Sequence, residues 1–260
     1  MQYDYIKVEL DEAIMVLTIA RPEVLNAIHP GVSREIGAAF ELFERDPSQH
    51  VAIITGEGDK AFSSGNDLKY QSSNGEGDRP RVTFGGITDR PDFKKPVIAA
   101  VNGLAFGGGF EIALACDIIV AADHATFALP EPRVGLAAVG GGLLRLPRAI
   151  GLNRAMEIIL TSRHVGAEEG RQLGFVNHVV PRGSALGTAK DLARTITGNS
   201  QYAVRAARSI ARANFHKALP QAMKDQWEDP EFKAMLASPD VVEGPLAFAE
   251  KRAPRWTNVE

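Results

Sequence analysis

Short apolar runs dominate the first half of the chain, and apolar positions at helical spacing dominate the second. Tyr5 to Glu9 and Ala13 to Ile19 read as a strand pair, with Asp11-Glu12 as the turn. Val32, Ile36, Ala39, Phe40 and Phe43 recur at roughly helical spacing after Pro30, which predicts a helix over Ser33–Arg45. Val51 to Thr55 is a short apolar strand followed by the loop Gly56-Glu57-Gly58-Asp59. Val97 to Val101 is another buried strand, ended by a turn at Asn102-Gly103, after which Gly107-Gly108-Gly109 open an Ala/Leu-rich helix. Asp117 to Ala122 is another strand, and Ala125 to Leu129 leads into Pro130-Glu131-Pro132. Helices are then expected at Leu143–Ile150, Asn153–Thr161 and Ala167–Leu173, with one strand at Val176–Val180. From Ala185 onward the pattern is mostly helical, through Ala203–Ala213, Leu219–Ala237 and, after a break at Pro239, Val242–Lys251. The strand, helix, strand order predicts an α/β architecture.

Gln71 to Pro91 breaks this regularity. It is polar, rich in Gly, Ser and Asp, and has the length of a lid or binding loop; Phe84, Ile87 and Phe93 would line an apolar pocket or pin the loop down.

Composition narrows the function classes. The 260 residues are 45% hydrophobic and 23% charged, and the formal charge of −3 argues against a nucleic-acid partner. No apolar run reaches the ~18–20 residues of a membrane span, and the N-terminus lacks the apolar centre of a secretion signal, so a cytoplasmic protein is expected. The single cysteine, Cys116, lies in an apolar run and reads as a small buried hydrophobe. The six histidines form no ligand-spaced cluster, and no metal is expected.

The chemistry concentrates on Gly107–Glu111. Glycines let a ligand approach the backbone, and the first turn of a helix offers free N–H groups and a partial positive charge to a developing anion. Glu111 stands in that turn, and Glu131 stands between two prolines that restrict its backbone. Complementing the helix dipole is the structural alternative for Glu111, and close packing is the alternative for the glycines.

In their order and register, these motifs resemble the crotonase superfamily, whose best-known member is enoyl-CoA hydratase. The resemblance runs through Asn26-Ala27 after Arg21-Pro22, Phe62–Lys69, Pro96–Asp117, Phe127–Gly135, Leu144–Gly151, Gly166–Val180 and Phe248–Arg252. Phe127–Glu131 and Glu243–Arg252 resemble the carnitinyl-CoA dehydratase branch. The resemblance implies a spiral of ββα units over residues 1–195 and a helical trimerisation region over 196–260, with trimers often paired into hexamers. It implies an acyl-CoA thioester as substrate, so that coenzyme A arrives with the substrate and no separate cofactor is needed.

It also implies an oxyanion hole from the backbone N–H groups of Asn66 and Gly108, and an acid–base pair of Glu111 and Glu131. Retention of both glutamates favours hydration, or its reverse, over double-bond isomerisation. Coenzyme A contacts map onto Val24, Ser64, Asp67, Leu68 and Lys69, with Lys251 and Arg252 reaching the nucleotide end, conceivably from a neighbouring subunit. Glu23 stands where relatives frequently have lysine, and Ala138-Val139 replaces a Pro-Gly step in the loop after Glu131. A non-catalytic acyl-CoA- or RNA-binding relative is the alternative class; the negative charge and the two glutamates count against it.

Overall fold

The computed structural model describes residues 3–74, 83–90 and 93–257. Two sheets form the body. The larger has six strands in the order β1-β2-β3-β5-β7-β10, where β1 is Ile6–Asp11, β2 Ile14–Ile19, β3 Val51–Gly56, β5 Val97–Val101, β7 Ile118–Ala122 and β10 His178–Val180. Only the β1–β2 pair is antiparallel. The smaller sheet has the order β4-β6-β8-β9, from Ala61–Ser63, Leu104–Phe106, Thr126–Ala128 and Val165–Gly166. After β2, the chain visits the large sheet and then the small one in each turn, so β3/β4, β5/β6 and β7/β8 stack as successive coils of a spiral.

The large sheet is buried on both faces, which is why its strands are almost continuously apolar. Alternate residues serve different layers. Met15, Leu17 and Ile54 face the main core with α1 (Pro30–Arg45), α3 (Gly108–Ala115) and the small sheet, while Val16, Ile53 and Ile98 face α7 (Ala185–Thr197). Helix α7 meets the sheet through Ala189 and Ala193, side chains small enough to let its axis come close.

Several expected boundaries move. The hairpin turn is Glu12-Ala13, with Glu12 at φ +55°, and Asp11 still pairs with Ile14. Helix α1 starts at Pro30, a residue whose fixed φ suits the first helical position, and His29 Nδ1 accepts the Gly31 N–H at 3.0 Å. Leu219–Ala237 is not one helix. It divides into α9 (Leu219–Asp225), a short 3-10 turn and α10 (Pro230–Ala237), because Asp229 Oδ1 caps the N–H groups of Glu231 and Phe232. Of Gln71–Pro91, residues 75–82 and 91 lie outside the described residues; 71–74 complete α2 (Leu68–Asn74). Phe93 and Ile87 join the main core, so Phe93, stacked on Phe43 at 5.9 Å, pins the chain rather than lining a pocket.

Of the C-terminal helices α8 (Gln201–Asn214), α10 and α11 (Asp240–Ala249), α8 is joined to the spiral by charge. Asp117 at the head of β7 receives Arg208 at 2.9 Å and Arg212 at 2.7 Å. Cys116 is buried, and burial raises its thiol pKa far beyond reactivity. Among the described residues no helix is long and apolar enough to cross a membrane, and no His/Cys/Asp/Glu group could hold a metal ion.

Candidate active site

The N-terminus of α3 is the centre of the site. Gly107, its cap, adopts φ +51° and ψ −122°, and its N–H donates to Ala128 O of the neighbouring strand at 2.9 Å. A Cβ at Gly107 would lie 2.6 Å from Glu131 Oε1, so glycine is what allows that carboxyl group to rest against the helix entrance. Gly108, as the first helical residue, has an N–H with no acceptor inside the helix.

The second N–H donor arrives from the loop after β4. Ile28 bridges Asn66 in parallel fashion: its N–H donates to Gly65 O at 2.7 Å, and its carbonyl accepts the Asp67 N–H at 2.9 Å. In a parallel bridge the residue between those two points its own N–H the other way. For Asn66 that is the side where β6 and α3 lie, since a Cβ on adjacent Gly65 would sit 2.8 Å from Gly108 N. Two backbone donors therefore converge on one spot. The Phe84 ring packs directly on Gly108, where a Cβ would meet it at 2.1 Å, and so shields the donors from one side.

The two glutamates reach this spot from different elements and in different environments. Glu111 is only 4% exposed. Its Oε1 accepts the Gly142 N–H at 2.8 Å, and Gly140 lies close against the carboxylate, where a Cβ would come within 2.6 Å of Oε2. Helix α4 (Gly142–Ile150) thus begins on a carboxylate. Burial pushes the Glu111 pKa up to about 7, with the Gly142 N–H opposing, nearby Glu131 adding to the rise, and the Gly140 N–H and Arg145 opposing. Glu131 opens a 3-10 turn (Glu131–Val134), and burial raises its pKa as well. Its Oε2 is buried with no hydrogen-bond partner among the described residues, which suits a protonated, proton-donating carboxyl.

The other expected contacts sort into two groups. Val24, Ser64, Asp67, Leu68 and Lys69 do come together: the Ser64 N–H donates to Leu25 O at 2.9 Å and its Oγ lies 3.5 Å from Val24 O. Leu68 and Lys69 are exposed in the first turn of α2. Asp67 is used internally, accepting Arg21 at 3.1 Å and the Tyr70 N–H at 3.0 Å. Lys251 and Arg252 follow α11, where Arg252 is held by Glu243 at 2.6 Å and by Glu250 at 2.6 Å. Glu23 is exposed, and so is Val139, at 84%. Asn26-Ala27 proves structural: buried Asn26 donates to Ala61 O at 2.8 Å and Glu57 O at 3.1 Å, locking the chain that leads to Asn66.

Sequence reasoning missed Gly140 and Gly142 as holders of Glu111, Phe84 as the cover over Gly108, and Arg145 beside Glu111. The signal available was the second glycine run, Gly140-Gly141-Gly142, which opens a helix just as Gly107-Gly108-Gly109 does.

The enoyl-CoA hydratase/isomerase family model matches residues 9–259. A carnitinyl-CoA dehydratase of Salmonella arizonae is 44% identical over 250 residues, covering 94% of this chain and 94% of that one. Among solved structures, an enoyl-CoA hydratase of Mycobacterium tuberculosis H37Rv superposes with a TM-score of 0.91 at 40% identity, covering 98% of this chain and 99% of that one. A carnitinyl-CoA hydratase of Mycobacterium avium superposes with a TM-score of 0.78 at 37% identity, covering 98% and 99%.

Proposed function

We propose that this chain, which belongs to the enoyl-CoA hydratase/isomerase family, adds water reversibly across the α,β double bond of an acyl-CoA thioester. The observation that carries this reading is the placement of two carboxyl groups, one accepting the Gly142 N–H and one with an oxygen unpartnered among the described residues, on either side of a pair of backbone N–H donors.

The thioester carbonyl oxygen accepts hydrogen bonds from the Asn66 and Gly108 N–H groups. Glu111, ionised, takes a proton from water as the water oxygen bonds to Cβ. The π electrons move onto the thioester oxygen, giving an enolate that the two donors stabilise; one such donor is worth roughly 3–4 kcal/mol. Collapse of the enolate forms the Cα–H bond with the proton of Glu131. Glu111 ends protonated and Glu131 ionised, and exchange with solvent resets the pair. Elimination runs the same steps backwards. Adjacent carboxyls resist ionising together, so one acid and one base arise naturally in a shared site.

Coenzyme A is read as lying along the Val24, Ser64, Leu68 and Lys69 surface, with the Ser64 carbonyl toward the adenine and Lys69 toward a phosphate. Asp67 shapes that surface through Arg21. Lys251 and Arg252 fit the nucleotide end only from a neighbouring subunit. A homotrimer, alone or paired, agrees with the apolar side chains exposed on α11: Phe248 at 87%, Val242 at 67% and Leu246 at 46%. Light scattering at micromolar concentration is expected to show three or six chains; a stable, active monomer excludes this assembly.

Similarity to a carnitinyl-CoA dehydratase and a carnitinyl-CoA hydratase favours a short, polar acyl group such as the carnitinyl one as the second reading of the substrate. Screening enoyl-CoA thioesters, crotonobetainyl-CoA included, for loss of the conjugated absorbance tests both readings. Hydration of none of them overturns the function.

A further inference from the structure

The Arg145 guanidinium is half-buried beside the reaction centre. It stands in the first turn of α4 and folds back over its own helix entrance, with Nη1 3.4 Å from Gly140 O and Nη2 donating to Thr88 O at 2.7 Å. It lies so close over Gly141 that a Cβ there would meet Nη1 at 1.9 Å. Gly140 and Gly142, on either side, adjoin the Glu111 carboxylate: the Gly142 N–H holds it, and a Cβ on Gly140 would lie 2.6 Å from Glu111 Oε2. Thr88 ends the short segment whose Phe84 ring covers Gly108.

We propose that Arg145 is a positioning residue: it clasps the Gly140–Gly142 loop to the Phe84–Thr88 cover, and its charge keeps the Glu111 carboxylate available as a base. This deepens the hydration reading above and rests on it for its catalytic meaning, though not for its physical content.

Two effects meet at Glu111. Removing the carboxylate from water and placing Glu131 beside it both favour the protonated form, and a protonated Glu111 cannot accept a proton from water. Two N–H groups and one cation act in the other direction. The N–H groups belong to a glycine loop with no side chains of its own to fix it, so the fork of Arg145 supplies both the charge and the tether. The charged and titratable groups around Arg145 are Glu111 from α3, Cys116 just after it, Asp89 from the covering segment and Arg212 from α8. Asp89 and Glu111 favour its charge, Arg212 opposes it, and a guanidinium stays protonated throughout the working pH range.

The test reads Glu111 without turnover. The protein is labelled with 13C at the glutamate carboxyl, Glu111 is assigned by the signal lost in Glu111→Gln, and the resonance is titrated in the wild type and in Arg145→Met, Arg145→Gln and Arg145→Lys. Methionine and glutamine remove the charge, and glutamine can still donate to Thr88 O, so it serves if methionine unfolds the chain. Both neutral variants are expected to move the Glu111 midpoint upward from about 7 by about one pH unit, the scale of a single nearby opposite charge. Lysine keeps the charge without the fork, so its midpoint stays near that of the wild type while kcat falls about tenfold with little change in KM. The acid limb of kcat/KM should move with the resonance. An unmoved midpoint in the neutral variants, or the same shift in Arg145→Lys, overturns the proposal. If the resonance shifts as expected in a chain that hydrates no enoyl-CoA, the proposal stands and the assigned reaction falls.

Discussion

Helices α3 and α4 begin alike, each behind a run of three glycines, yet they spend their N-terminal N–H groups on different partners. At α3 the Gly108 N–H has no acceptor within the helix and lies beside the Asn66 loop, where a Cβ on Gly65 would come 2.8 Å from Gly108 N. At α4 the Gly142 N–H is already engaged by Glu111 Oε1 at 2.8 Å. A helix N-terminus attracts an anion through its free donors and its dipole. On the hydration reading the first serves a charge that develops only during reaction, while the second holds a carboxyl group that is present throughout, whether ionised or protonated. The first is kept vacant by Phe84 and by the glycine at position 107, the second is filled by a side chain from the first helix. Each anion site is therefore part of the other: α3 presents Glu111 to α4, and α4 returns it to the reaction centre in a fixed orientation.

The comparison breaks most severely if the glutamates do not divide the work. Glu111→Gln and Glu131→Gln keep shape and hydrogen bonding but cannot transfer a proton in the required way, and each is expected to lose about 10²–10⁴-fold in kcat. The double variant should cost less than the product, because both act on one water and one enolate. Incubating each with a 3-hydroxyacyl-CoA in heavy water separates the roles. Glu111→Gln should retain some solvent exchange at Cα and Glu131→Gln should not; the opposite pattern reverses the assignment.

Alanine substitution sharpens the contrast at a smaller scale. A Cβ at Gly109 would press to 2.2 Å on the Ser63 carbonyl oxygen, which is backbone and cannot yield, so Gly109→Ala should lower the unfolding midpoint as well as activity. At Gly140 the Cβ would instead meet the far end of Glu111. Gly140→Ala should leave the thermal midpoint within a few degrees of the wild type while kcat drops about 10–100-fold. Equal stability losses in the two variants would mean that the α4 loop is structural rather than catalytic.

How much of this was legible depended on the length over which a pattern could accumulate. The strands β2, β3, β5 and β7 carry four to six buried positions each and helix α1 a clear helical face, and periodicity found all but the exact ends. The strands β4, β6 and β8 have three residues each. Three residues hold barely one alternation, and what makes them strands is pairing with one another across the spiral, so only the family resemblance implied them. Pro230 hid in an otherwise helical run, although Asp229 before it is the kind of residue that caps a new helix. Glu111, Glu131, Asn66 and Gly108, the residues of the proposed site, were singled out through motifs. Arg145 was not, because an arginine in a first helical turn reads as a solvated charge until the neighbouring carbonyls of Gly140 and Thr88 are placed.

The strained state of Glu111 should also show in stability. Its folded pKa, about 7, is above its ordinary 4.5, so the folded chain binds the extra proton between those values. The favourable contribution is complete below about pH 4.5 and is lost as pH rises through about 7. At 1.36 kcal/mol per pH unit the loss is on the order of 3 kcal/mol. Glu111→Gln, with no charge to bury, should therefore unfold at a higher temperature than the wild type at pH 8 and at nearly the same temperature at pH 4.5. A constant difference across that range would mean that Glu111 is ionised without penalty.

The smallest effect is expected at the other oxyanion donor. On the proposed reading Asn66 serves through its backbone N–H, whereas its side chain is exposed and Nδ2 donates to Gln71 Oε1 at 2.6 Å. Alanine keeps the N–H and the parallel bridge to Ile28, and loses one solvent-accessible hydrogen bond worth about 0.5–1.5 kcal/mol. That bond ties the start of α2 to its first turn rather than to the reacting atoms. Asn66→Ala should accordingly keep kcat within about threefold of the wild type, with any change in KM reflecting the coenzyme A surface on α2. A loss comparable to that of Glu111→Gln would place the Asn66 carboxamide on the acyl group, and the two donors of the hole would then differ in kind: one backbone alone, the other backbone and side chain together.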